Sequence, residues 1–122
     1  MKIFIIDPNN DVAQLNYPLS ESLIEKEKHD VTLITSFNLF HSQFYHDNYN
    51  ANPLYLFFSF ENKISNKLIR SLVKSLTYPV YNIALLIKIF LRRPQVIHYN
   101  WLLLPLVDYF MIKLLKLFGR NV

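Results

Sequence analysis

Near its beginning the chain reads 2-KIFIIDPNNDVAQLNYPLSESLIEKEKHDVTLIT-35. Residues 2–6 and 31–35 are two runs of β-branched, apolar and aromatic residues, each typical of a strand that is buried on both faces of a parallel sheet. Between them, Pro18 stands where the first turn of a helix is expected, and apolar residues at helical spacing predict an amphipathic helix over 18–28. Strand, helix and strand in this order predict a βαβ unit.

The rest of the chain continues this alternation. Residues 54–60 and 95–99 are predicted strands, and 104–118 is a predicted amphipathic helix. A long helical region is predicted over 63–93, with a kink or break at Pro79, since a ring in mid-helix removes one backbone hydrogen bond. We therefore predict an α/β fold: a Rossmann-like parallel sheet with helices on both faces.

The 122 residues amount to one domain, which we assign to 1–122. Gly119 follows the last predicted helix, where a left-handed C-terminal cap is expected. The following residues, 120–122, would lead into a fifth strand. We therefore expect an incomplete domain that stops before its next strand.

The amino-acid composition indicates which compartment and which kinds of contact surface are expected for this domain. The apolar fraction of 52% is high for a short soluble chain, so part of the apolar surface is expected to meet a partner, a membrane or further chain. There is no Cys, which fits a reducing compartment, and the first residues lack the features of a signal peptide. No uninterrupted run of about 20 apolar residues is present, so no transmembrane helix is predicted.

The segment 62–107 contains seven basic residues and no acidic one: Lys63, Lys67, Arg70, Lys74, Lys88, Arg92 and Arg93. On a helical wheel, Lys63, Lys67, Arg70 and Lys74 share one narrow arc, which Lys88 and Arg92 join if the helix continues. Leu68, Leu72, Val73 and Leu76 lie on the other side, the apolar side that an amphipathic helix turns toward a core.

A solvated helix face is the plain explanation of this basic stripe. Its lack of acidic partners, together with Tyr78 and Tyr81 close by, favours instead an anionic membrane surface. No nucleic-acid reading motif accompanies the charge, so nucleic acid is not an expected partner. The predicted membrane-surface residues are Lys63, Lys67, Arg70, Lys74, Tyr78, Tyr81, Lys88 and Arg92.

Several kinds of site are excluded by the residues. A single Gly cannot form G-x-G-x-x-G or a P-loop, so no dinucleotide site of those types is expected. The stretch after Asp7 imitates a calcium loop, but Val12 replaces the required Gly and Pro18 replaces the closing Glu. The four His residues lack metal-ligand spacing. We therefore expect no metal and no cofactor.

Polar side chains follow two of the predicted strands. In open parallel sheets, ligands bind just beyond the carboxyl ends of the strands. Amides and carboxylates there can hydrogen-bond sugar hydroxyls, and a Trp face can stack on a sugar. The alternative is that Trp101 plugs the top of the sheet and His98 belongs to the core. The candidate acceptor-binding residues are Asp7, Asn9, Asn10, Gln14, Asn16, His98, Asn100 and Trp101.

Three phrases in order, 28-KHDVTLIT-35, 94-PQVIHYNW-101 and 118-FGRNV-122, give the chain its resemblance to a known family. It resembles the N-terminal domain of family 4 glycosyltransferases of the two-domain GT-B fold. Lys28 stands for the Gly and Gln95 for the Asp that this family usually has, and the usual Gly-rich first loop is absent. The resemblance covers essentially the whole chain.

The resemblance implies half of a two-domain GT-B architecture, in which this domain holds the acceptor. A C-terminal domain, outside these residues, would bind the nucleotide-sugar donor, and transfer would retain the anomeric configuration. The donor would be a substrate, not a cofactor. The catalytic residues stay unknown.

We therefore expect this chain to be part of a cytoplasmic glycosyltransferase that associates peripherally with the inner face of the membrane and uses a lipid-linked or polysaccharide acceptor. This part alone is expected to be inactive. Two alternatives stay open. One is a non-enzymatic membrane-surface or scaffold module, and the other is a small flavodoxin-type binding protein, against which the missing phosphate loop argues.

Overall fold

The structure is a computed structural model that describes residues 1–9, 12–36, 44, 47–57, 63–100 and 102–122. Its sheet contains four strands in these described residues, β1 (Lys2–Asp7), β2 (Asp30–Ser36), β3 (Pro53–Phe57) and β4 (Val96–Tyr99). All pairs are parallel, and the spatial order is β3-β2-β1-β4. The predicted parallel sheet is confirmed.

Three helices with described bounds cover the sheet: α1 (Ala13–Glu25), α2 (Lys67–Arg92) and α3 (Pro105–Leu117). α1 packs on one face, where Tyr17 meets Ile3, Ile5 and Leu33. α2 and α3 pack on the other face, which is formed by a cluster around Phe4, Ile6, Ile34 and Ile97. The chain is thus a Rossmann-like α/β domain with helices on both sides, as predicted.

α1 begins at Ala13, five residues before the predicted start, so Pro18 lies inside the helix. The helix was hard to place because its buried face is only partly apolar. That face consists of Ala13, Asn16, Tyr17 and Ser20, at the spacing of one helical side.

α2 runs as one helix through Pro79, so the chain is not split at the proline as the prediction allowed. Asn66 caps its first turn, because its side chain accepts hydrogen bonds from the backbone N–H groups of Leu68 and Ile69. Tyr78, directly before the proline, stacks on Phe57 with ring centroids 5.9 Å apart. Packing of this kind outweighs the single hydrogen bond that Pro79 removes.

The orientation of α2 also differs from the prediction. Its buried side chains are Tyr78, Asn82, Leu85 and Ile89. At about 100° per residue, these four buried residues lie next to the basic stripe on the helical wheel. Leu68, Leu72 and Leu76 lie across the helix from the stripe. Leu72 and Leu76 are accordingly 63% and 72% exposed. The apolar side of the first turns faces outward, and the core is built from the last four turns.

The segment after α3 confirms the predicted cap at Gly119. Gly119 adopts φ of 70°, and its N–H donates to Lys116 O, while Arg120 N–H donates to Leu115 O. This pair of bonds is a Schellman cap, which needs the left-handed backbone that Gly provides. Asn121 then forms a parallel bridge with Val96, beside β4.

Candidate functional site

The first component of the site is Asp7, the last residue of β1. Its side chain is fully buried. Asp7 Oδ2 accepts hydrogen bonds from the backbone N–H of Val12, at 3.2 Å, and from Asn16 Nδ2, at 2.7 Å. Because Asn16 lies on the buried face of α1, these two bonds attach the start of that helix to the end of β1.

The second component comes from the exit of β4. Asn100 N–H donates to Ile6 O at 3.0 Å, which continues the pairing of β4 with β1. The Asn100 side chain donates through Nδ2 to Asn16 Oδ1, and its own Oδ1 lies 2.6 Å from His98 Nε2. Asp7, Asn16, Asn100 and His98 thus form one hydrogen-bonded row, which we call the amide row.

The amide row lies at a particular place in the sheet. The chain builds β2 and β3 on one side of β1 and then crosses to add β4 on the other side. The strand order therefore reverses between β1 and β4, and in open α/β sheets the crevice beyond the carboxyl ends at such a point is the usual ligand site. The amide row joins the ends of these two strands.

The predicted acceptor residues occupy different positions around this crevice. Four of them, Asp7, Asn16, Asn100 and His98, are brought together in the amide row. Asn9 is partly exposed in the turn after β1, whereas Gln14 is exposed on α1 and hydrogen-bonds none of the four. Asn10 and Trp101 lie outside the described residues.

The position of His98 contradicts the alternative prediction that this residue belongs to the core. His98 projects from β4 on the side of α1, opposite to its buried neighbour Ile97, and its side chain is exposed. It also lines an open cavity of about 610 Å³ together with Lys116, Arg120 and Asn121. The cavity lies along β4 and the segment after α3, and Asp7, Asn16 and Asn100 do not line it.

Sequence reasoning missed the contribution of β2. Thr35 Oγ1 donates a 2.8 Å hydrogen bond to the backbone oxygen of Asp7, and both side chains are fully buried. The next residue, Ser36, is also buried, and its Oγ has no hydrogen-bond partner among the described residues. The available signal was that Thr35 and Ser36 end a buried strand at the same edge as Asp7.

The basic stripe follows the sheet side of α2. Lys63 and Lys67 are exposed, while Arg70, Lys74 and Lys88 are half-buried. Lys88 and Arg92 line a cavity of about 220 Å³ at the opposite, amino-terminal edge of the sheet, together with Lys2. Lys2 Nζ donates to Arg92 O at 3.0 Å. The stripe is therefore divided between the two ends of the domain.

The two tyrosines lie inside this packing. Tyr78 is only 2% exposed, and Tyr81 is half-buried and packs edge-on against Phe57 with the ring centroids 6.0 Å apart. This corrects the expectation that Tyr78 meets a lipid headgroup, because its side chain is enclosed between α2, α3 and the sheet.

Two further properties of the described residues concern metal ions and membranes. Within the residues that the structure describes, no group of three His, Asp or Glu side chains is close enough to hold a metal ion. By length and composition alone, α2 is long and apolar enough to cross a membrane. Core helices of soluble proteins pass the same test, and α2 buries one side on the sheet.

Comparison of the chain with protein-family models, with curated proteins and with solved structures gives no match in any of the three. Functional inference therefore depends on the fold, on the amide row and on the surface of α2.

Proposed function

We propose that this chain is the acceptor-side domain of a retaining glycosyltransferase of the GT-B type. The observation that carries the proposal is the amide row, which places a carboxylate, two amides and an imidazole where the strand order reverses between β1 and β4. Amides and imidazoles both donate and accept hydrogen bonds, as sugar hydroxyls do. Such a row suits a ligand rich in hydroxyl groups.

The other wall of the crevice would be a donor-binding domain. In this proposal, that domain holds the diphosphate of a nucleotide-sugar, and basic side chains together with a helix N-terminus stabilise the leaving group. The present residues would hold a lipid-linked or polysaccharide acceptor against it. The protein would work in the cytoplasm at the inner face of the membrane.

A backbone feature supports the resemblance on which this proposal draws. Lys28 stands where the family usually has Gly, and it adopts φ of 56°. This left-handed conformation costs a residue with a Cβ atom about 1–2 kcal/mol. The connection from α1 to β2 thus keeps the backbone shape that favours glycine even though the residue differs.

Acceptor binding can be tested on this chain directly. We expect a panel of mono- and oligosaccharides to shift the backbone NMR signals of Asn9 and of residues 98–100, with dissociation constants near millimolar, or roughly −4 kcal/mol. Asn100→Ala should abolish the shifts. Asn50→Ala, a change of the same residue type on an exposed loop, should retain them. Saccharides that shift no signal at this edge would overturn the proposal.

The second candidate function is a membrane-surface module without enzymatic activity, which the outward face of α2 favours. Seven of the large apolar side chains of that helix are at least half exposed on its outer side: Ile69, Leu72, Leu76, Val80, Ile83, Ile87 and Leu91. An apolar helix face of this length with nearby cations is typical of helices that lie in a bilayer interface.

Vesicle sedimentation tests this second candidate. We expect the chain to bind vesicles that contain phosphatidylserine, and Leu72→Glu with Leu76→Glu to reduce the bound fraction at least tenfold at physiological salt. The matched control is Ser71→Glu with Ser75→Glu, which places the same charges on exposed neighbouring positions. Equal loss in both pairs would point to charge alone and would contradict apolar insertion.

A further inference from the structure

The amide row has a fixed hydrogen-bond direction. The backbone N–H of Val12 can only donate, so Asp7 Oδ2, which it contacts, is an acceptor. Asn16 therefore turns Nδ2 toward Asp7 and Oδ1 toward Asn100. Asn100 must in turn direct its own Nδ2 toward Asn16, which leaves its Oδ1 for His98. The direction set at Asp7 is thus transmitted across two amides.

This direction determines where the imidazole carries its proton. A carbonyl oxygen only accepts, so His98 Nε2, 2.6 Å from Asn100 Oδ1, must carry a hydrogen. A neutral imidazole has one N–H, and its other nitrogen is an acceptor. None of the described residues hydrogen-bonds His98 Nδ1, and the side chain is exposed. Nδ1 is therefore the ring atom that remains for a ligand.

We infer that Asn16 and Asn100 are positioning residues that hold the proton of neutral His98 on Nε2, so that Nδ1 accepts a hydrogen bond from a ligand hydroxyl. The identity of that ligand as a sugar rests on the proposed function, whereas the position of the proton does not. Asp7 and Asn16 are fully buried and act through Asn100, without touching the ligand.

The inference divides the predicted acceptor residues into two groups. A ligand at the surface can reach Asn100 and His98, which are half-buried and exposed respectively. Asp7 and Asn16 supply the orientation from inside. If the row ran in the opposite direction, Asn100 would donate to His98 Nε2, and the neutral ring would carry its proton on Nδ1. The outward Nδ1–H would then bind a ligand carbonyl or phosphate oxygen instead. The direction of the row is therefore what specifies a hydroxyl donor.

The tautomer can be measured without any ligand. We would record long-range proton–nitrogen spectra of the whole chain with ¹⁵N-labelled His, at a pH where His98 is neutral. The expected result is the Nε2–H tautomer, with an observable Nε2 proton that is protected from exchange. An Nδ1–H tautomer in the parent chain would overturn the inference, and this measurement requires no variant.

Variants then test whether the row sets the tautomer. Asn100→Leu removes the acceptor at similar volume and should speed exchange of the Nε2 proton about tenfold, which corresponds to the loss of one ordinary hydrogen bond. Asn100→Asp keeps an acceptor oxygen and should retain the protected Nε2–H. Asn50→Leu should match the parent. Identical spectra for Asn100→Leu and the parent would contradict a positioning role.

The same samples separate this inference from the proposed function. Saccharides added to the parent chain should shift the His98 Nδ1 signal, because Nδ1 accepts the ligand hydroxyl. If the tautomer is as expected but no saccharide moves any ring signal, the proposed function fails while the positioning role stands. If saccharides bind and the tautomer is Nδ1–H, the proposed function stands while the positioning role fails.

Discussion

Tyr78 Oη in α2 donates a hydrogen bond of 2.5 Å to Asp108 Oδ1 in α3, and this bond joins the two helices on one face of the sheet. The other carboxyl oxygen, Oδ2, accepts from the backbone N–H of Leu104 at 3.0 Å. Burial raises the pKa of Asp108, and these two hydrogen bonds only partly oppose the shift. Burial, followed by the bond to Asp108, raises the pKa of Tyr78 above its ordinary range.

The raised pKa of Asp108 predicts that stability depends on pH. The folded chain holds the Asp108 proton more tightly than the unfolded chain does, so this group contributes stability that is fully present below the ordinary carboxyl pKa. That contribution is lost as pH rises through the raised, folded-state pKa. We expect Asp108→Asn to flatten the fall of the urea midpoint above about pH 4. Parallel midpoint curves for the variant and the parent would contradict this assignment.

Removing the tyrosine hydroxyl should change the pH dependence in the opposite direction to Asp108→Asn. Tyr78→Phe leaves Asp108 Oδ1 buried without this donor, which should cost about 1–3 kcal/mol in the free energy of unfolding. In the parent chain this hydrogen bond also lowers the pKa of Asp108. Its removal should therefore raise that pKa further and steepen the decline of stability with rising pH. Tyr109→Phe is the matched control, since Tyr109 is exposed. A cost no larger than that of the control would exclude a structural role for the bond.

The same pair of residues explains why helix orientation was difficult to predict from sequence. A helical wheel groups residues by polarity, and on it Asp108 shares one arc with Tyr109, Lys113 and Lys116, opposite the apolar side chains. In the structure, Asp108 lies with Met111 and Leu115 on the buried side. A buried carboxylate that is hydrogen-bonded by Tyr78 reverses the expected polarity of the helix, and one sequence gives no sign of a partner 30 positions away.

The identity of the strands and the edge at which the candidate residues lie were easier to predict, because they follow from local signals and from one topological rule. The buried runs of β1 and β2 are apolar throughout, so their identity as parallel strands did not depend on knowing which helix face was inward. Residues that end neighbouring parallel strands must share an edge. That rule placed Asp7 near His98, but it does not determine that Asn16 and Asn100 form the link between them.

Shortening individual leucine side chains on α2 distinguishes the observed orientation of the helix from the predicted one. Leu85 is fully buried, so Leu85→Ala should cost about 2–5 kcal/mol in the free energy of unfolding. Leu72→Ala should change it by less than about 0.5 kcal/mol, since that side chain is mostly exposed. Urea denaturation of both variants provides the measurement. A large loss at Leu72 would mean that the outward face is covered in solution.

The left-handed backbone at Lys28 predicts a stabilising substitution. Lys28→Gly removes the contact between Cβ and the carbonyl that penalises φ of 56°, and only part of this gain is offset by the greater freedom of Gly in the unfolded chain. We expect a net gain of up to about 1 kcal/mol in thermal or urea unfolding. Lys26→Gly, two residues earlier where φ is −86°, should instead destabilise the chain. A loss of stability in both variants would refute the backbone assignment.

Asn16 should contribute to stability through the amide row as well as to the tautomer of His98. Asn16→Ala leaves the buried Asp7 Oδ2 without its shorter hydrogen bond, and we expect a loss of about 1–3 kcal/mol. Gln14→Ala changes an exposed amide on the same helix and should lie within about 0.5 kcal/mol of the parent. The row also predicts that Asn16→Ala and Asn100→Ala are coupled, so that the double variant loses less than the sum of the two single losses. Strictly additive losses would mean that the two amides stabilise the fold independently, and that no direction passes from Asp7 to His98.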